Sequence, residues 1–164
     1  MERILVSACL MGRRVRYDGG AKTSSDAVLA AWRREGRLVP FCPEVEGGLA
    51  VPRPAAEIEG GLGGAAVLSG DARVLAADGS DVTAEFLAGA RAALDAARTR
   101  GVRLAVLKEG SPSCGALAVY DGTFSGRRTP GQGVTTALLE RSGIRVFTED
   151  QLDEAAACLR ALET

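Results

Sequence analysis

The sequence predicts an α/β fold: a mainly parallel sheet with helices on both faces, a Rossmann-like three-layer arrangement, carrying a small hairpin appendage. Three observations lead there. Short apolar runs alternate with helix-patterned stretches along the chain. The first run, residues 3–8, is mostly apolar rather than alternating, which fits a strand covered on both faces. No internal repeat, linker or low-complexity segment breaks the pattern, so a single domain over residues 1–164 is expected.

Each element has its own local reason. Val28, Leu29 and Trp32 share one face of a predicted helix over about 26–35, with Thr23, Ser24 and Ser25 as candidate caps and Gly36 as its stop. A second strand spans 38–42. The path from Pro43 to Pro54 is dense in glycine and proline and reads as irregular, and residues 60–64, four of them glycine, read as a flexible loop or a close backbone approach. Residues 66–68 and 73–75, joined by Ser69-Gly70-Asp71, read as the two arms of the appendage. Asp81 or Thr83 caps the clearest helix, where Val82, Phe86, Ala90, Leu94 and Ala97 recur at helical spacing until Gly101. Strands over 103–108 and 117–124, a helix from Val134 to Gly143, a strand over 144–147 and a terminal helix complete the chain. The last helix opens on Thr148-Glu149-Asp150-Gln151, a capping box.

Charge and composition narrow the function. With 20 basic and 21 acidic residues, the net charge of -1 offers no general attraction to nucleic acid or to a membrane surface. No apolar stretch approaches the roughly 20 residues of a membrane helix, and Met1-Glu2-Arg3 leads into a strand without the apolar region of a signal peptide. A cytoplasmic location is therefore expected, where four cysteines point to metal binding, catalysis or burial rather than disulfides. Histidine is absent, which removes both the commonest zinc ligand and the commonest general base.

Three of the cysteines occupy the same kind of place. Cys9 closes the run 4–8, Cys42 closes the second strand, and Cys114 lies in Ser111-Pro112-Ser113-Cys114-Gly115, directly after the run 104–107. Ligands of an open parallel sheet bind beyond the carboxyl ends of its strands, so these thiols converge if their strands are neighbours. Converging thiolates without histidine suit a soft metal or an iron–sulfur cluster with one position open for substrate. A metal-free redox or persulfide role for Cys114 competes with that reading. Cys158, at helical spacing with Ala155 and Leu162, reads as packing.

Glu44, two residues past Cys42, is a candidate general base or proton donor, and Ser113 a candidate hydrogen-bond donor to whatever binds. Asp18 is either a substrate contact or a turn aspartate, and Lys108 faces either the site or solvent; both stand as candidate substrate-binding residues. Gly131-Gln132-Gly133, at a helix start, is able to cradle an anion with its N–H groups.

Several motifs carry a resemblance over nearly the whole chain: Val6-Ser7-Ala8-Cys9-Leu10, Arg16 to Gly20, Cys42-Pro43-Glu44, Pro52-Arg53-Pro54, Glu57, Ser111 to Gly115, Tyr120 to Phe124 and Gly131 to Thr135. Their order resembles a bacterial family catalogued as domain of unknown function 523, whose characterised branch is thiouracil desulfidase. The resemblance implies a [4Fe-4S] cluster held by Cys9, Cys42 and Cys114, with one iron free to take the sulfur of a thiolated pyrimidine or similar small compound. It further implies non-redox sulfur removal by water, with Glu44 and Ser113 in proton transfer and substrate positioning. The additional domain that some members carry is not expected. A non-catalytic metal or sulfur-handling accessory protein using the same three cysteines is the alternative.

Overall fold

Ile4, Leu5 and Val6 have no exposed surface in the computed structural model, which describes residues 1–164. Burying each of them contributes about 1.5–3 kcal/mol. They are buried because β1 (Ile4–Ser7) lies inside a parallel sheet. A 3-10 turn carrying Cys9 follows, then α1 (Ala27–Arg34), and β2 (Leu38–Phe41) pairs along one side of β1 with Ile4 opposite Leu38. α2 (Pro43–Glu46) starts immediately after. An excursion of β3 (Ala56–Ile58), α3 (Gly64–Leu68) and β4 (Val74–Ala76) leads into α4 (Thr83–Thr99). β5 (Leu104–Leu107) takes the other side of β1. An antiparallel hairpin of β6 (Ala118–Tyr120) and β7 (Arg128–Pro130) precedes α5 (Val134–Arg141). β8 (Arg145–Thr148) then pairs with β5, and α6 (Leu152–Leu162) ends the chain.

The sheet order is therefore β2-β1-β5-β8, all parallel, as the sequence predicts. Successive side chains of a strand point to opposite faces, and here both faces are covered. Leu5, Ala105 and Leu107 pack with Leu94, Ala97 and Leu139 under α4 and α5. Ile4, Val6, Leu104 and Val106 pack with Leu29 and Trp32 of α1 and Leu152, Ala155 and Leu159 of α6. Cys158 lies against this second cluster, as its helical spacing suggests.

Several local expectations are corrected. The appendage is not 66–68 against 73–75: residues 64–68 form α3, and β4 pairs instead with β3, Ala56 opposite Ala76. Gly64 permits this helix, because a Cβ there would meet the Gly133 carbonyl oxygen at 2.3 Å. The start of the Gly/Pro path is the helix α2, with Pro43 in the first turn, where its missing N–H costs nothing. Asp26, not an earlier hydroxyl, caps α1 by accepting the Val28 N–H at 2.7 Å. At α6 Gln151 accepts the Thr148 N–H at 3.0 Å, whereas the Thr148 hydroxyl accepts from Asp150 at 3.1 Å, so the capping box is only half formed.

Candidate active site: three thiols at one sheet edge

β2, β1 and β5 are adjacent, and each delivers a cysteine just past its carboxyl end. Cys9 sits in the turn after β1, Cys42 is the N-cap of α2, and Cys114 lies in the loop after β5. All three line one cavity of about 500 Å³. No disulfide joins them. Burial pushes the Cys9 thiol up to about 11, against the pull of Arg16, while Cys42 opposes ionisation further. Burial likewise raises Cys42, which the Val45 N–H at the start of α2 partly offsets. Cys114 is raised most, first by burial, and then, against the Ser113 hydroxyl, by Glu44 and the other two cysteines. Cys114 thus feels both other thiols, and Cys9 feels Cys42. A buried, protonated Cys114 is the opposite of the acidic cysteine that metal-free nucleophilic chemistry requires.

Glu44 lines the cavity from the first turn of α2 and is fixed at both oxygens. Arg53 donates to Oε1 from Nε at 3.2 Å and from Nη2 at 3.0 Å. On Oε2 the carboxylate accepts the Ser113 hydroxyl at 2.8 Å and the Ser111 hydroxyl at 3.1 Å. Ser113 Oγ also stands 3.4 Å from Cys114 Sγ. One connected polar chain therefore runs from Arg53 through Glu44 and Ser113 to a cysteine. The sequence places Glu44 beside Cys42; the guanidinium beside it is an addition from the structure.

The loop bearing Cys114 is held from two sides. The Glu109 carboxylate accepts the N–H groups of Gly110 at 3.0 Å, Ala116 at 2.8 Å and Leu117 at 3.1 Å. On the other side, the carbonyls of Pro112, Ser113 and Gly115 accept from Val134, Thr135 and Gly133 at the start of α5. Gly133 allows that approach, since a Cβ would lie 2.5 Å from the Ser113 backbone. Of the N–H groups expected to cradle an anion, that of Gly133 is committed to this loop and that of Gly131 to the Leu117 carbonyl.

Lys108 lines the cavity, but its ammonium is paired with Glu149 at 2.8 Å and donates to the Glu109 carbonyl at 3.1 Å. Asp18 does not line it; its carboxylate accepts the Gly20 N–H at 2.8 Å and closes its own turn. Arg53, Ser111 and Glu109 are functional neighbours that sequence reasoning left out of the site. Ser111 and Glu109 flank the cysteine motif itself, whereas nothing local marks Arg53 as the partner of Glu44.

Known proteins share the sequence and the fold of this chain. A family model described as 2-thiouracil desulfurase matches residues 4–151. The uncharacterized protein YbbK of Bacillus subtilis (strain 168) is 43% identical over 151 residues, covering 92% of this chain and 98% of YbbK. The solved structure of the [4Fe-4S]-dependent thiouracil desulfidase TudS is 50% identical and superimposes with a TM-score of 0.89, covering 98% of this chain and 99% of that one. By family match, full-length identity and shared fold, the chain belongs to the 2-thiouracil desulfurase family.

Proposed function

We propose that this protein is an iron–sulfur-dependent desulfidase that replaces the sulfur of a thiolated pyrimidine, or a similar small thiocarbonyl compound, with oxygen from water. The observation that carries the reading is the set of three thiols, from three adjacent strand ends, lining one cavity beside an anchored carboxylate. The donor set fits a [4Fe-4S] cluster held by Cys9, Cys42 and Cys114. It contains sulfur only, and no three Cys, Asp or Glu side chains come close enough to share a single metal ion. Cluster thiolates each bind a different iron and stand farther apart than the ligands of one ion. When bound, such a cluster supplies a Lewis-acidic iron without a protein ligand, with affinity for the thiocarbonyl sulfur.

The chain's own groups handle water and protons. The net reaction, C=S plus H₂O giving C=O plus H₂S, needs no electrons. Ser113 lines the cavity and its Oγ donates to Glu44 Oε2, so it accepts a proton from the attacking water while passing its own to Oε2. The same oxygen returns that proton to the departing sulfide. Arg53 keeps Glu44 in one orientation throughout, and Ser111, 2.7 Å from Ser113 Oγ, fixes the hydroxyl.

Anaerobic reconstitution with iron and sulfide, followed by incubation with 2-thiouracil, tests the reading. The expected result is a brown protein with about four irons per chain, in line with three-cysteine ligation of one cluster, that releases sulfide. Cys114→Ser abolishes both colour and release, and Cys158→Ser changes neither. An intact cluster with no sulfide release would instead favour an accessory role in metal or sulfur handling.

A further inference from the structure

The chain has only seven aromatic residues, and their placement is uneven. Trp32, Phe86 and Phe147 are buried in the core. The other four, Tyr17, Phe41, Tyr120 and Phe124, all line the cavity of the three cysteines. Three of these have their rings engaged. The Arg16 guanidinium lies 5.6 Å from the Tyr17 ring centre, that of Arg128 lies 5.3 Å from Tyr120, and Phe41 packs against the core under α4 and α5. Phe124 belongs to none of the core clusters, no guanidinium covers it, and 41% of its surface is open.

Its backbone is also in the left-handed region, with φ of 56°, where bulky side chains are rarely found. The surrounding structure enforces this. Glu57, on β3 and almost fully buried, accepts the N–H of Gly122 at 2.9 Å and of Phe124 at 3.2 Å on the same oxygen. Gly122 is pressed so closely on β3 that a Cβ would meet the Ile58 carbonyl oxygen at 2.7 Å. Strain at a half-exposed ring outside every core cluster contributes little to the fold, and strained, over-determined residues cluster where ligands are held.

We propose that Phe124 is the platform on which a planar heteroaromatic substrate stacks, with Glu57 as the positioning residue that holds the ring at the cavity. The inference rests on the desulfidase reading of this cavity and names the residue that selects flat, conjugated rings over puckered ones. Stacking on an aromatic face is sequence-tolerant toward bases, so it selects for planarity rather than for the pattern of ring substituents.

Two measurements on the cluster-loaded protein decide it. In sulfide release, Phe124→Ala and Phe124→Leu raise KM for 2-thiouracil about tenfold, as loss of one stacked base contact predicts, with kcat nearly unchanged, and Phe124→Tyr restores the wild-type KM. In equilibrium binding, the wild type prefers planar uracil over non-planar 5,6-dihydrouracil, and the Ala and Leu variants lose that preference. Phe124→Gly relieves the left-handed backbone and melts no lower than wild type, which separates lost binding from lost folding. Unchanged KM in the Ala and Leu variants, or equal binding of the two ligands by wild type, overturns the proposal. If wild type releases no sulfide at all, the desulfidase reading fails, and the uracil comparison still decides the role of Phe124.

Discussion

Replacing Arg53 with methionine is the sharpest test of the polar chain at the site. The substitution keeps length and apolar stem but removes four donated hydrogen bonds: two to Glu44 Oε1 and one each to the carbonyls of Val15 and Ala50, both at 3.0 Å. The side chains of Arg53 and Glu44 are only 7% and 15% exposed, so water replaces little of what is lost. Removing one partner of a buried pair costs about 3–5 kcal/mol, a large part of the 5–15 kcal/mol that typically separates folded from unfolded states. For a chain of this length each kcal/mol moves the melting temperature by about 2–4 °C, so a fall of about 6–20 °C is expected. Sulfide release should drop by about a hundredfold, because a displacement on the order of 1 Å at the reacting groups has that effect. Arg53→Lys keeps the charge but not the planar fork and should fall between. The exposed pair Arg73–Glu59 is the control, and Glu59→Gln should leave the melting curve in place. Differential scanning calorimetry with a sulfide assay reads both effects. An Arg53→Met protein that melts within about 2 °C of wild type and turns over normally would refute the reasoning.

Other perturbations probe the scaffold. Gly89→Ala on α4 places a Cβ 2.0 Å from the Pro43 carbonyl oxygen, so α2 must move away and carry Cys42 and Glu44 with it; overpacking of this kind costs about 1–3 kcal/mol, and sulfide release should fall further than the melting temperature alone explains. Glu109→Ala leaves the N–H groups of Gly110, Ala116 and Leu117 without their acceptor, a loss of about 1–3 kcal/mol for each of the buried donors Gly110 and Ala116, read by chemical denaturation, with a broadened electron paramagnetic resonance signal from a less ordered third cysteine. Glu163 is held below the usual carboxylate range by Arg37 first and then by the Glu2 N–H. A depressed folded value adds stability that is present above the unfolded value and is lost as pH falls through the folded one, so the melting temperatures of wild type and Glu163→Gln should differ at neutral pH and converge in acid.

The sheet and the cysteine positions were legible because each rests on a local signal. An apolar run that stops at a turn marks a strand end whatever the rest of the chain does, and Cys9, Cys42 and Cys114 each follow one. That β2, β1 and β5 are neighbours depends on long-range pairing, Ile4 opposite Leu38 on one side and Leu104 on the other, and only the structure supplies it. α3 was misread because Ala66, Val67 and Leu68 form too short a run to reveal its period, and the glycines before them suggest a loop rather than a close helix contact. Asp18 and Lys108 show the limit for charged residues: a turn aspartate and a paired lysine look in sequence like substrate contacts. The link from Glu44 to Ser111 and Ser113 spans 67 and 69 positions, and no periodicity carries it.

The two-sided anchoring of the Cys114 loop ties the third thiol to the α5 end of the fold. Its carbonyls complete the first turn of α5 and its N–H groups are gathered on Glu109, so the loop cannot swing out without fraying a helix that packs against α4 and β8. The contacts that start α5 are therefore the same ones that place Cys114, so the position of this thiol is coupled to the folding of the helix.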